Sequence, residues 1–201
     1  MSLVGRDHET KTLTAAIARL EAGTGGCIVL TGVLGIGKTR LLESATSLAA
    51  ERDLLVARGR ATELDRVAPL STIVTALRPV LGSDWAPPTD VNQYRQIELI
   101  AGRLEEVARK RPVVVVIDDA HWTDELSALA LRMLVPRLSS LPILCLLARS
   151  PVPADLPGQS VLRTLIGDGA CEMLVKPLSE DAAAELCRQV LGGPVDTTVL
   201  A

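Results

Sequence analysis

Gly32-Val33-Leu34-Gly35-Ile36-Gly37-Lys38-Thr39 is the stretch of this 201-residue chain on which its fold turns. It fits the pattern GxxxxGK[ST], with an apolar strand-like run, Cys27 to Leu30, before it and a helix-period segment, Lys38 to Ala50, after it. Glycines let the backbone turn so that successive N–H groups face phosphate oxygens, and the positive end of the following helix adds to their field. In such a loop Lys38 reaches the β and γ phosphates as a mobile charge, and the Thr39 hydroxyl is a ligand for Mg²⁺. Gly32, Val33, Leu34, Gly35, Ile36, Gly37, Lys38, Thr39 and Arg40 are therefore the candidate nucleotide cradle. Chance is a poor rival, since the chain's Gly, Lys and Ser+Thr content predicts only about 0.003 such matches. Lys38 is also one of only four lysines among 21 basic residues.

Further along, Val113-Val114-Val115-Val116-Ile117-Asp118-Asp119 is a β-branched run ending in two carboxylates. A strand of this kind is buried on both faces of a parallel sheet, and its C-terminal end is where ligands of open parallel sheets bind. The pattern is that of a Walker B strand, with Asp118 holding Mg²⁺, in part through water, and Asp119 polarising the water that attacks the γ phosphate. Asp is one methylene shorter than Glu, which sets its carboxylate back by roughly 1.5 Å and predicts slow hydrolysis. The alternative is that Asp119 only caps the following loop. Arg149 follows another apolar strand, Ile143 to Ala148, and should project from the same sheet edge, either to sense the γ phosphate or as a surface arginine paired with an acid. His121 has no second His or Cys near it and is a poor metal ligand, which leaves a structural or a phosphate-sensing role. Arg52, Arg58, Arg60 and Arg66 are interleaved with acids and read as solvated surface.

Composition narrows the class. Apolar residues make up 48% of the chain, yet there are two Trp, one Tyr and no Phe, so the core must be built from Ala, Val, Leu and Ile. A net charge of −3 gives no basic field for a phosphate backbone, and the lack of aromatic platforms argues against stacking on single strands. Direct nucleic-acid contact by these residues is thus not expected. Cys27, Cys145, Cys171 and Cys187 form no CxxC pair, and the first three lie in apolar strand-like runs, so they read as free core residues of a reducing compartment. With no signal-peptide pattern and no apolar run near the ~18 residues of a membrane span, the expectation is a soluble cytoplasmic domain without membrane contact.

Helix-period and strand-like segments alternate along the whole chain, which predicts a parallel five-stranded sheet with helices on both faces. The strand candidates are Cys27 to Leu30, Leu54 to Ala57, Val113 to Ile117, Ile143 to Ala148 and Cys171 to Val175. Helices are expected at Asp7 to Glu21, Lys38 to Ala50, Leu70 to Leu81 and Val91 to Lys110, after a cap at Thr123 or Asp124, and over Ser160 to Ile166. Ser179 N-caps a last helix through Leu191, with Gly192-Gly193 as its stop. Pro151 to Pro157 is read as a loop, and Pro194 to Ala201 shows no finished element.

These motifs together resemble a known group. Leu3-Val4-Gly5-Arg6-Asp7-His8-Glu9 is similar to the hhGRxxE start of the AAA+-related signal-transduction ATPases with numerous domains (STAND). Val113 to Asp124 resembles the Walker B region of the large ATP-binding regulators of the LuxR family. So do Gly59-Arg60 with Pro69-Leu70, Tyr94-Arg95, Arg149-Ser150-Pro151 and the stretch Leu174 to Glu185. The resemblance implies a three-layer α/β P-loop NTPase of the additional-strand, AAA+-like type, with the arginine strand between the strands of the glycine loop and of Asp118. It implies Leu3, Val4 and Arg6 bordering the adenine and Arg149 at the sensor position. It further implies an ATPase domain over residues 1–177 followed by the beginning of a helical lid over 178–201. Members of the group use ATP against ADP as a switch for self-association or for contacts with other domains of the parent chain, and LuxR-type members then act on transcription through a separate C-terminal helix-turn-helix. The competing expectation is a free-standing or motor-type ATPase whose turnover is itself the function. A nucleotide kinase fits less well, because the charges near the loop are mixed.

Overall fold

A computed structural model describes residues 3–151 and 156–191. Five parallel strands form one sheet: β1 (Gly26–Thr31), β2 (Leu55–Arg60), β3 (Val113–Asp118), β4 (Ile143–Arg149) and β5 (Cys171–Leu174), in the spatial order β2-β3-β4-β1-β5. Among the described residues seven α-helices connect and cover them: α1 (Asp7–Glu21), α2 (Lys38–Glu51), α3 (Ser71–Leu81), α4 (Gln93–Ala108), α5 (Glu125–Leu138), α6 (Pro157–Gly167) and α7 (Glu180–Leu191). The β4 strand lies between β1 and β3, the order expected from the resemblance.

Strand alternation divides the core into two halves. Val113, Val115 and Ile117 pack with α3, α4, α5 and α6 on one face, while Val114 and Val116 pack with α1 and α2 on the other. All six residues of β3 are buried. A parallel strand covered on both faces needs an unbroken β-branched run, because either side chain direction ends in core. At about 1.5 kcal/mol or more per buried aliphatic side chain, this strand and its neighbour β4 anchor the domain.

Element ends follow local chemistry. Asp124 caps α5, its Oδ1 accepting from the Ser127 N–H at 2.8 Å and also from the Leu70 N–H at 2.9 Å. That second bond holds Leu70 at φ +60, so α3 starts at Ser71 and not at Leu70. Asn92 caps α4 by accepting from the Arg95 N–H at 2.9 Å, which places the helix start two residues after the expected Val91. Pro157 opens α6 three residues earlier than Ser160, as a proline at the first helical position favours. Ser179 Oγ accepts from the Ala182 N–H at 3.3 Å at the start of α7.

Two readings are corrected. Cys171 is exposed, because β5 is an edge strand on which only Met173 among its four residues is buried. Cys145, on the central β4, is buried as expected, and burial pushes its thiol up to about 12. The β2 strand runs on to Arg60, three residues past the expected end at Ala57, and this bears directly on the site. The Gly192-Gly193 stop, the tail from 194 and residues 152–155 of the expected loop lie outside the described residues.

Candidate nucleotide site

The C-terminal ends of the strands converge on the loop between β1 and α2. Its turn depends on Gly35 at φ +78 and Gly37 at φ +103, a region where a side chain is strained. Lys38 begins α2 and is only 5% exposed. Its three ammonium protons find three acceptors: the Gly32 carbonyl at 2.8 Å, the Val33 carbonyl at 2.9 Å and Ser150 Oγ at 3.0 Å. Burial lowers the Lys38 pKa below its ordinary value, and the nearby Asp119 and Asp118 charges partly offset this.

The Thr39 hydroxyl donates to Asp118 Oδ2 at 2.7 Å, while Asp118 Oδ1 accepts the Asp119 N–H at 2.9 Å. The sheet therefore delivers a hydroxyl and a carboxylate oxygen to one point at the end of the glycine loop. Hard oxygen donors of this kind suit Mg²⁺, which takes its remaining ligands from phosphate and water. Among the described residues no group of three or more His, Cys, Asp or Glu side chains is placed to hold a metal ion.

Asp119 lies at φ +49, in the left-handed region that Asp tolerates better than most residues. Its Oδ2 is engaged: Arg60 donates to it from Nε at 3.0 Å and from Nη2 at 2.8 Å. Arg60 is thus part of the site and not simply solvated surface. The reason is register, since Arg60 stands opposite Asp118 in the β2–β3 pair, at the same sheet edge. Sequence reasoning missed it because Arg58, Gly59 and Arg60 carry no apolar signal that a strand continues through them.

Arg149 takes the rival arrangement that the sequence left open, a pairing with an acid. Its Nε donates to Thr31 Oγ1 at 2.9 Å and its Nη2 to Glu172 Oε1 at 2.9 Å, so its guanidinium reaches across the end of β1 toward β5. Thr31 and Arg149 hold the Glu172 carboxyl below its ordinary pKa. The residue that meets Lys38 is the next one, Ser150. Its backbone N–H donates to His121 Nδ1 at 3.3 Å, and His121 is itself only 3% exposed, in the 3-10 turn Ala120–Trp122. Burial lowers the His121 pKa, Lys38 lowers it further, and Asp119 and Asp118 act in the opposite sense.

A cleft of about 1020 Å³ opens beside the loop, lined among others by Leu3, Val4, Arg6, Ile36 and Arg40, with Leu186 of α7 also on its wall. Leu3 and Val4 present half-buried apolar surface there. Arg6 is buried and its donors are turned inward, to Glu9 Oε1 at 3.0 Å, the Lys176 carbonyl at 2.6 Å and the Ile36 carbonyl at 2.8 Å. It shapes the cleft by tying the glycine loop to the segment before α7. Arg40 is exposed and pairs with Glu43 at 3.5 Å on the α2 surface. Val33 and Leu34, at the loop tip, are also exposed.

The profile of the AAA ATPase domain family matches residues 2–147. No curated protein matches the sequence. Among solved structures, the chain is similar to Cdc6p from Pyrobaculum aerophilum, with TM-score 0.67, 15% identity, 97% of this chain covered and 52% of that one. The Aeropyrum pernix ORC2 protein, solved in ADPNP-ADP complexes, gives TM-score 0.60 at 16% identity over 92% of this chain and 50% of that one. AMPPCP-bound DnaA from Aquifex aeolicus gives TM-score 0.62 at 17% identity, covering 96% and 53%. The chain thus spans about half the length of the structures it matches, and at these identities the likeness concerns the fold. Among the described residues no helix is long and apolar enough to cross a membrane.

Proposed function

Because the chain belongs to the AAA ATPase domain family, we propose that it is an ATP-binding, slowly hydrolysing switch module of a multidomain LuxR-type transcriptional regulator, its nucleotide state governing self-association or contacts with the rest of the parent chain. The observation that carries the slow-switch reading is Asp119, whose Oδ2 accepts two N–H groups of Arg60. While Arg60 holds that oxygen, it is not free to orient an attacking water. Binding groups are in place while the base is held, which is the condition of a device that keeps its nucleotide.

Each residue then has a task. Backbone N–H groups of the glycine loop and the Lys38 ammonium hold the phosphates, and Lys38 exchanges its loop carbonyls for phosphate oxygens when nucleotide enters. Thr39 and Asp118 would hold Mg²⁺, which would supply neutralisation of phosphate charge. Asp119, released from Arg60, takes the proton of the water. Leu3 and Val4 offer apolar surface to the adenine, with Arg6 holding that wall against the loop. Arg149, freed from Glu172, is the charge available for sensing the γ phosphate. Residues 178–201 are read as the start of a helical lid. The nucleotide-bound states named for the ORC2 and DnaA structures support the nucleotide. The LuxR context rests on the motifs at Leu3 to Glu9 and Val113 to Asp124, and a cytoplasmic location goes with it.

Calorimetry with Mg-ATP and Mg-ADP tests the binding half: Lys38→Ala must lose affinity, and unchanged affinity refutes the site. Single-turnover hydrolysis tests the switch half. Turnover well below ~1 s⁻¹ fits a switch, whereas faster turnover favours the motor-type ATPase.

A further inference from the structure

The contacts around Lys38 extend beyond the two sequence motifs. Ser150 is 6% exposed and has two separate bonds: its hydroxyl accepts from Lys38, and its N–H donates to His121 Nδ1. A histidine that accepts at Nδ1 is neutral and carries its proton on Nε2. Burial, which lowers the His121 pKa, favours that form. The turn that carries the imidazole is also closely packed. Gly158, in the first turn of α6, packs so closely on the 3-10 turn that a Cβ there would lie 2.4 Å from the Ala120 carbonyl and 2.9 Å from that of His121. The Trp122 ring tilts against His121 with centroids 5.2 Å apart.

We infer that His121 is a positioning residue of the nucleotide site: through Nδ1 it fixes Ser150, whose hydroxyl gives the Lys38 ammonium an acceptor on the sheet side, beside the two carbonyls of its own loop. The inference rests on the nucleotide-binding reading and deepens it. The other two acceptors of Lys38, the Gly32 and Val33 carbonyls, belong to the loop that must open its N–H groups to phosphate. Ser150 is the one acceptor outside the loop, and β4 alone does not fix it, because that strand ends at Arg149. Without the His121 bond, Ser150 is free to rotate away and Lys38 remains with the carbonyls of its own loop.

Asparagine and glutamine separate the two ring nitrogens. Asn at position 121 puts an oxygen acceptor near the place of Nδ1, and Gln puts its polar end near the place of Nε2. The experiment is a fluorescence titration of labelled ADP and a non-hydrolysable labelled ATP analogue, with Mg²⁺, into wild type, His121→Asn, His121→Gln, Ser150→Ala and the Gln–Ala double variant. Thermal melts without nucleotide check that each is folded. His121→Asn should bind within about twofold of wild type, while His121→Gln and Ser150→Ala each weaken binding about 3- to 10-fold, the scale of one hydrogen bond. The double variant should be no weaker than the weaker single, since both changes break one chain of contacts. Gln binding like wild type while Asn is weak overturns the inference in favour of a direct role for Nε2. Wild-type affinity in Ser150→Ala, or additive losses in the double variant, also overturns it. If wild type itself binds neither nucleotide, the nucleotide-binding reading fails, and the inference with it. Ser150→Ala keeps the imidazole in place, so it remains a test even if the position-121 variants do not fold.

Discussion

Replacing Arg60 by alanine should make hydrolysis faster. Arg60 grips Asp119 Oδ2 with two N–H groups, but its side chain is 65% exposed against 12% for Asp119. An ion pair so open to water is worth about 0.5–1 kcal/mol, discounted for solvent screening. Removing a hold of that size raises the population of unengaged Asp119 by about three- to sixfold. Single-turnover hydrolysis of Mg-ATP by Arg60→Ala should therefore rise about three- to sixfold, with nucleotide affinity unchanged. Arg60→Lys keeps the charge but not the two-pronged contact, and should fall between the two. The melting temperature should drop by no more than about 4 °C, the equivalent of 1 kcal/mol in a domain of this size. An unchanged rate would mean the pair is no brake. A tenfold loss would mean that Arg60 stabilises the reacting phosphate, and the account of Asp119 as a restrained base would have to be abandoned.

Other perturbations reach different parts of the molecule. Lys38→Ala removes charge-assisted bonds to phosphate worth about 1.5–3 kcal/mol, so calorimetry should show Mg-ATP affinity falling about 10- to 150-fold. His121 has a folded pKa below its unfolded value, so the unfolded chain binds the extra proton first as pH falls. Stability is then lost as pH drops from about 6.5 toward the lower folded value, against the opposing pull of Asp118 and Asp119 and with the help of Lys38. Nucleotide-free melts between pH 7.5 and 5.5 should show a smaller decline in His121→Asn than in wild type, and an equal decline would refute the assignment. Gly158→Ala places a methyl 2.4 Å from the Ala120 carbonyl and should cost about 1–3 kcal/mol in denaturant unfolding. Leu146→Ala empties a fully buried position of β4 and should cost about 2–5 kcal/mol by the same measurement.

The central sheet is legible in the sequence because the middles of β1, β3 and β4 are buried on both faces and are therefore apolar runs. The glycine loop and Asp118 are legible because phosphate and Mg²⁺ chemistry constrain residue type and spacing within a few positions. Arg60, Ser150 and Glu172 are not, because their roles depend on which strand ends lie side by side. Gly59 and Arg60 extend β2 without any apolar signal, and only the register against β3 shows that Arg60 meets Asp119. Cys171 reads as a core residue for a related reason: a short apolar run looks the same whether its strand is central or at an edge. Arg149 was placed at the correct edge, but Glu172 is supplied by β5 across the end of β1, a neighbour that local sequence does not reveal.

The position of β1 has a consequence for how the nascent chain acquires its site. The strand leading into the glycine loop is the first made, yet its two partners, β4 and β5, are the last. Arg6, which braces the loop through the Ile36 carbonyl, completes its contacts on Lys176, 170 residues later. At synthesis rates of 5–20 residues per second, about 10 to 30 s separate the two ends of that contact. Until β4 is made, the β1 strand has neither of its partners and is an apolar edge open to aggregation and to chaperones. Competence to bind nucleotide should thus arrive late, which makes the binding of a fluorescent nucleotide a reporter of completed folding in a stalled-ribosome series.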